Sequence, residues 1–370
     1  MKTPIQKILF GSPGTGKSYR VNYEIIPNDL KISPDSDNVI KTVFHPEYTY
    51  GDFMGKLVPI TKGNNVRYQF YAGHFLMALT RAYRNILDEY KDPTKEKDFK
   101  DLSDQEQSAR IKQARRIACD NAANVALVID EINRGNSSAI FGTVFQLLDR
   151  DEEGWSSYSI NITEIELITI LRLIEVQEKS LADNKFEYQF PGENHWVQDY
   201  STFQNRVDGL NLKLKERSIK IPPNLSIFGT MNTSDNSIYF MDSAFKRRWD
   251  WEFVNWDETK PPAPKYGTGG TLDEDKWKKL IKNLNGFIKS HHTSIRGIED
   301  KQIGYYFIKQ PVTPEQIQNK LMFFLWDSVF NRDKKPLVDL LEVTRDELVT
   351  FGDFTKLHNK FITNIMNFKA

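Results

Sequence analysis

The sequence predicts an α/β fold wound around a parallel sheet. Short apolar segments alternate with stretches of helical periodicity, the rhythm of strand–helix–strand units. One of those segments, Val125 to Ile129, is apolar at every position, as a central strand covered on both faces must be. A third observation narrows the class: the glycine-rich run Gly11 to Ser18 stands between an apolar segment and a helical one.

Taken in chain order, Lys7 to Phe10 reads as a short buried strand and Lys17 to Ile26 as the helix after it, stopped by Pro27. Val39 to Phe44 has the β-branched bias of a second strand. Phe75, Leu76, Leu79, Ala82, Tyr83, Ile86, Leu87 and Tyr90 recur at helical spacing and make one core-facing stripe. Asp88 to Arg116 holds eight acids and eight bases and reads as solvated helix and loop. Ile227, Phe228 and Gly229 before Thr230 look like another buried strand. The stretch from Asp151 to Lys220 breaks the alternation and reads as an insertion. Pro261, Pro262, Pro264, Gly267, Gly269 and Gly270 make the one linker-like stretch. Helical patterns follow at Lys276 to Lys289, Pro314 to Phe330, Pro336 to Leu341 and Thr355 to Asn367. The expected organisation is an α/β core over residues 1–260, carrying the insertion at about 151–220, and a helical domain over 261–370.

Composition excludes several classes. The chain has 370 residues, 39% of them hydrophobic and 12% aromatic, too rich in core formers for a disordered tail. Cys119 is the one cysteine, so no intrachain disulfide and no cysteine-based metal site is expected, and a reducing cytoplasm is the natural compartment. The longest uninterrupted apolar run, Leu321 to Trp326, is far below the ~20 residues of a membrane span. The segment before Gly11 lacks the layout of a signal peptide and leaves no room for a domain ahead of the first motif. Fifty Lys plus Arg balance fifty Asp plus Glu, without the basic surplus usual in a protein that grips nucleic acid alone.

Four stretches carry chemistry. Gly11-Ser12-Pro13-Gly14-Thr15-Gly16-Lys17-Ser18 fits G-x-x-x-x-G-K-[ST], in which glycines let successive amides turn onto phosphate oxygens at a helix N-terminus. Lys17 is expected to reach the β- and γ-phosphates and the Ser18 hydroxyl to ligate Mg²⁺. The bland alternative is a glycine-rich turn. The run Ala126 to Ile129 ends in Asp130 and Glu131: an Asp there can support Mg²⁺ and a Glu can activate water, although acids also suit a plain strand-to-helix junction. Asn232, past a third strand, can hydrogen-bond water or a γ-phosphate, or serve as a turn residue. Lys246-Arg247-Arg248 offers an arginine finger to a neighbour's phosphate, or a basic helix end favoured by the dipole.

These stretches together resemble one family. Asp130-Glu131-Ile132-Asn133-Arg134-Gly135-Asn136, Ile221-Pro222-Pro223-Asn224-Leu225, Gly229-Thr230-Met231-Asn232-Thr233-Ser234-Asp235 and Met241-Asp242-Ser243-Ala244-Phe245-Lys246-Arg247-Arg248-Trp249 look like the AAA+ motor subunit of McrBC-type modified-DNA restriction systems. Phe44-His45-Pro46-Glu47-Tyr48-Thr49-Tyr50-Gly51-Asp52-Phe53 is similar to the family's FHPSYSYEDF-type segment. The resemblance spans roughly Lys7 to Trp251.

It implies a P-loop NTPase (AAA+) core with a C-terminal helical lid, and a GTP-hydrolysing ring, commonly a hexamer. Such a ring translocates DNA and drives an McrC-like endonuclease. By motif, Ser12 to Ser18 bind phosphate, Ser18 and Asp130 hold Mg²⁺, Glu131 activates water and Asn232 is the sensor. Arg247 or Arg248 is the finger from the adjacent subunit, and Asn133 and Arg134 lie near the subunit junction. Three departures stand out. Asn236 replaces the arginine of the usual MNTADRS, Lys246 begins what is usually RRRF, and the base-reading N-terminal domain of the best-known members has no counterpart in these residues.

The nucleotide is GTP by the family and ATP by the wider AAA+ fold; no N-K-x-D stretch is present to read guanine. A nucleotide-gated assembly module that recruits an effector is the alternative to a translocating motor, with the insertion as its platform. Phe186, Tyr188, Phe190, Trp196 and Tyr200, among lysines and arginines, suit either single-stranded nucleic acid or a small packed subdomain. For a ring that shows basic residues only at its pore, zero net charge is compatible with DNA as substrate.

Overall fold

The structure, a computed structural model, describes residues 2–63, 65–180, 186–191, 196–197, 207, 209–233, 239, 241–257, 272–308 and 312–369. The strands are β1 (Gln6–Gly11), β2 (Val39–Val43), β3 (Gly55–Lys62), β4 (Asn65–Ala72), β5 (Val125–Asp130), β6 (Ile160–Asn161), β7 (Gln177–Ser180), β8 (Phe186–Gln189), β9 (Ser218–Ile219), β10 (Leu225–Asn232) and β11 (Asp250–Phe253). Five of them form one sheet in the order β11-β1-β10-β5-β2. β5 pairs in parallel with β10, Val125 opposite Leu225, and with β2, Ala126 opposite Val39. The expected parallel α/β sheet is present, and Val125 to Ile129 are all buried at its interior strand.

The helix after the glycine-rich run does not stop at Pro27. It passes from α1 (Lys17–Arg20) through a π-turn (Val21–Ile25) into α2 (Ile26–Asp29). The π-turn shifts the hydrogen-bond register, so Pro27 falls in the opening turn of a new α segment, where its missing N–H is not needed.

The chain divides into two compact units. The first comprises Met1–Ile8, Val21–Gly229 and Ser237–Asp250. It contains α3 (Tyr50–Phe53), α4 (His74–Glu89), α5 (Asp104–Asn121), α6 (Ser137–Phe141), α7 (Glu164–Leu173) and α8 (Ser243–Lys246). The predicted stripe on α4 is largely buried, from Phe75 to Ile86. The charged stretch yields α5, opened by a Ser103–Glu106 capping box and buried only at Ala118 and Cys119. An aromatic chain runs through this unit: Phe53 lies 5.3 Å from Phe75 and 4.6 Å from Phe141, and Phe141 lies 5.2 Å from Phe245. These rings are fully buried and lock α3, α4, α6 and α8 around one core.

The insertion leaves and returns at one place. β6 pairs antiparallel with β9, and the Ser156 amide donates to the Ile221 carbonyl at 3.0 Å. Beneath them Arg150 donates to the carbonyls of Gly154, Ile221 and Pro222 at 3.1 to 3.3 Å and of Leu225 at 3.0 Å. Burial pulls its pKa down to about 9, which still leaves the guanidinium protonated at neutral pH. Within the insertion, α7 is apolar and β7 pairs antiparallel with β8. Tyr188 and Phe190 are buried, as a packed subdomain requires, and Tyr200 lies outside the described residues.

The second unit comprises Leu9–Arg20, Thr230–Asn236 and Trp251–Ala370. Its core is helical: α9 (Glu274–Ser290), α10 (Ile298–Lys301), α11 (Pro314–Gln316), π-turns over Ile317–Met322 and Leu325–Val329, α12 (Lys335–Leu341), α13 (Phe351–Lys356) and α14 (His358–Asn367). Trp277, Leu280, Leu284, Leu321, Phe354 and Phe361 are fully buried in it. The linker-like stretch 261–270 lies outside the described residues. Among the described residues no helix is long and apolar enough to cross a membrane.

Arg150→Ala would strip four carbonyls of one donor. A loss of about 3 kcal/mol in urea unfolding is expected, since each carbonyl left unsatisfied costs roughly 1–3 kcal/mol before relaxation. Arg150→Lys should recover only part, because a point ammonium cannot serve four diverging acceptors.

Candidate functional site

The glycine-rich loop belongs to the second unit and is organised around a buried cation. The Lys17 ammonium donates to the Gly11 carbonyl at 3.0 Å, the Ser12 carbonyl at 2.9 Å and the Asn232 Oδ1 at 2.8 Å. A desolvated ammonium needs such oxygens, and here they come from the ends of β1 and β10 and from the loop that follows β1. Two residues singled out from distant parts of the sequence, Lys17 and Asn232, are thus in direct contact. Thr233 follows with its amide on the Gly11 carbonyl at 3.2 Å. Gly14 and Gly16 have φ of +76° and +85°, the left-handed region that only glycine enters without strain.

The outer side of the loop is held by a segment the sequence did not reveal. The Gly304 amide donates to the Pro13 carbonyl at 2.9 Å and the Tyr306 amide to the Gly14 carbonyl at 2.8 Å. Ser12 Oγ donates to the Glu299 carbonyl at 2.6 Å. There is no space between these backbones: a Cβ on Gly304 would lie 2.2 Å from the Gly14 oxygen, and one on Gly14 would lie 2.5 Å from the Phe307 nitrogen. Tyr306 also stacks on Tyr19, centroids 5.8 Å apart.

The strap is fixed from behind by α9. The buried Asn285 side chain takes both the carbonyl and the amide of Ile303, at 2.9 and 3.0 Å, and Trp277 Nε1 donates to the Tyr305 carbonyl at 3.0 Å.

This arrangement decides where the loop's amides face. In a trans peptide the carbonyl and the next N–H point in opposite directions. With the Pro13 and Gly14 carbonyls turned out to the strap, the amides of Gly14 and Thr15 point away from it. Amides left on that side of a loop, beside a lysine at a helix start, suit an anion with several oxygens, and a phosphate fits that description.

The acidic pair belongs to the first unit. Asp130 ends β5, and its carbonyl accepts from the Phe44 amide at 3.0 Å. Glu131 has φ +54°, uncommon for a residue with a side chain, and the Arg134 amide on its carbonyl at 2.9 Å closes a turn. Gly135 allows close passage, since a Cβ there would meet Ile140 at 2.6 Å and the His45 carbonyl at 3.1 Å. Asn136 caps α6 through the Ala139 amide at 3.2 Å.

The Phe44–Phe53 segment is explained by anchoring. Tyr48 Oη meets Thr42 Oγ1 at 3.3 Å, His74 Nδ1 at 2.8 Å and the Asp52 carbonyl at 3.2 Å, tying β2 to α3 and α4. Burial pushes its pKa up to about 12, so it stays protonated. Among the described residues no cluster of three or more His, Cys, Asp or Glu is placed to hold a metal. The donors proposed by motif, a serine hydroxyl and an aspartate carboxylate, are hard oxygens of the kind Mg²⁺ prefers alongside phosphate and water.

The two arginines have different environments. Arg248 is 8% exposed, with its guanidinium on Asp149 at 2.7 Å, on the Ala244 carbonyl at 2.8 Å and 3.9 Å from the Phe145 ring centre. Arg247 is exposed. Asp242 caps their short helix through the Phe245 amide at 2.6 Å. Residues 234–238, which include Asn236, lie outside the described residues.

No family model matches the chain. Among curated proteins it is similar to the Type II restriction enzyme BsuMI component YdiS of Bacillus subtilis (strain 168), 27% identical over 382 residues, covering 94% of this chain and 85% of that protein. Among solved structures, C. elegans PCH-2 aligns at 11% identity with a TM-score of 0.14, over 95% of this chain and 66% of that one, a likeness too slight to support any conclusion.

Arg248→Ala should cost about 2 kcal/mol of stability in thermal unfolding, because it leaves Asp149 and the half-buried Phe145 ring without that partner. Arg247→Ala should leave the melting temperature unchanged.

Proposed function

We propose that this chain is the nucleotide-hydrolysing subunit of a DNA restriction system. In this reading it binds a nucleoside triphosphate with Mg²⁺, GTP in preference to ATP, and assembles into an AAA+ ring, a hexamer by resemblance. Turnover then moves DNA for a partner endonuclease of the McrC type. The observation that carries the reading is the Lys17 ammonium held among the oxygens of Gly11, Ser12 and Asn232, in a loop whose Pro13 and Gly14 carbonyls accept from Gly304 and Tyr306. The likeness to a restriction-enzyme component over nearly the whole chain supports the biological setting. The preference for GTP and the ring rest on the motif resemblance.

Each residue has a distinct task. Lys17 exchanges carbonyl partners for phosphate oxygens, and release of Asn232 from Lys17 frees that amide to orient water. Ser18 and Asp130 would hold Mg²⁺, which when bound would supply positive charge beside the phosphate oxygens. Glu131 accepts the proton of the attacking water. Arg247, exposed at the end of α8, is the better donor to a neighbouring copy's phosphate, while Arg248 keeps α8 in place through Asp149.

Glu131→Gln tests the reading. Turnover of GTP should fall by about 100-fold or more, the contribution of a positioned general base, while nucleotide affinity stays within about threefold. Turnover equal to the parent protein would remove Glu131 from the chemistry. Competition of GTP against ATP for the same protein, followed by native mass measurement, tests nucleotide choice and ring size.

A further inference from the structure

β3 and β4 form an antiparallel ribbon of eight residues per strand, Gly55 opposite Ala72 through Lys62 opposite Asn65. At about 3.4 Å per residue it is roughly 27 Å long. Its root is rigid. A Cβ on Gly55 would strike the Phe70 ring at 2.4 Å, and one on Gly73 the Phe53 carbonyl at 2.3 Å, while the Gly73 amide donates to the Met54 carbonyl at 3.0 Å. Beyond that root most of the ribbon is exposed: Leu57 is 51%, Val66 59%, Tyr68 72% and Tyr71 46% accessible.

Strand alternation and register sort its residues into two faces. Leu57, Pro59, Thr61, Val66, Tyr68 and Phe70 share one, which is largely apolar. Lys56, Val58, Ile60, Asn65, Arg67, Gln69 and Tyr71 share the other. Every hydrogen-bonding side chain of that second face except Tyr71 is Lys, Arg, Asn or Gln. Those four types make the preferred contacts to base edges, Arg and Lys to guanine and Asn and Gln to adenine.

No acid occurs from Gly55 to Ala72, in a chain whose total charge is zero. The nearby Asp52 pairs with Lys56 at 2.6 Å at the root, and Arg67 is exposed further out. The major groove of B-DNA is wide enough for a two-stranded ribbon. A protein partner is a poorer fit, because lysine is depleted at protein interfaces.

We propose that the β3–β4 ribbon is a double-stranded DNA contact element, its Lys56–Tyr71 face entering the major groove. The proposal rests on the reading above only in taking DNA as the molecule acted upon. It assigns the contact to a part of the chain with no role in nucleotide chemistry.

The test uses the full chain and a fluorescent 30-base-pair duplex, with anisotropy measured across a salt series. Arg67→Glu with Gln69→Glu should weaken binding by about tenfold or more, and Arg67→Ala, a truncation at an exposed position, should lower the salt slope by about one. Leu57→Ser with Tyr68→Ser, on the other face, should bind as the parent does. Basal nucleotide turnover should be the same in all. Parent-like binding by the Arg67 variants, or no duplex binding by the parent protein, would overturn the proposal. So would loss in the apolar-face variant alone with a change in native mass, which would make the ribbon a protein interface. Absent turnover with intact duplex binding would sink the hydrolase reading and leave the ribbon standing.

Discussion

A buried ammonium sets the terms for the glycine-rich loop and the strand ends around it. Lys17 is withdrawn from solvent, so its charge has to be met by oxygens at fixed positions, and two of these are main-chain carbonyls. Carbonyls turned toward Lys17 and others turned toward the strap dictate the orientation of the intervening peptides. The loop's shape therefore follows from where its carbonyls find donors, with glycines admitting the turns that result. Another oxygen belongs to Asn232, so the end of β10 is drawn into the same arrangement without any sequence proximity.

Much of this was legible in the sequence. A loop-lysine signature, an all-apolar strand ending in acids and the stripe on α4 depend on local spacing, and local spacing survives folding. The strap at Gly304 does not advertise itself, because its meaning lies in contact with Pro13 and Gly14 at the far end of the chain. Asn285 is equally silent: an asparagine in a helical pattern reads as a solvated position until its side chain is seen on Ile303. The β3–β4 ribbon was missed for a different reason. Period-two reasoning looks for one buried face, and this ribbon is mostly open on both, with Pro59 further demoting it as a strand. Pro27 misled in the opposite direction, since a stop signal holds only when the hydrogen-bond register is kept.

Adjacent residues of one basic run have separated into different work. Arg248 is spent on Asp149 and Phe145, which keeps the short helix α8 seated in the aromatic chain through Phe245 and Phe141. Arg247, the preceding residue, is exposed.

The closure of the insertion by Arg150 bears on how such a protein diversifies. One guanidinium clasps both the departing and the returning chain, so the sheet behind it experiences the segment from Asp151 to Lys220 as little more than a tight turn. Loop-closure entropy grows only logarithmically with length, so lengthening or exchanging what hangs beyond that clasp costs little. The insertion is thus a segment whose length the core behind the clasp scarcely feels, so the α/β sheet and whatever hangs from it are separable parts of one chain.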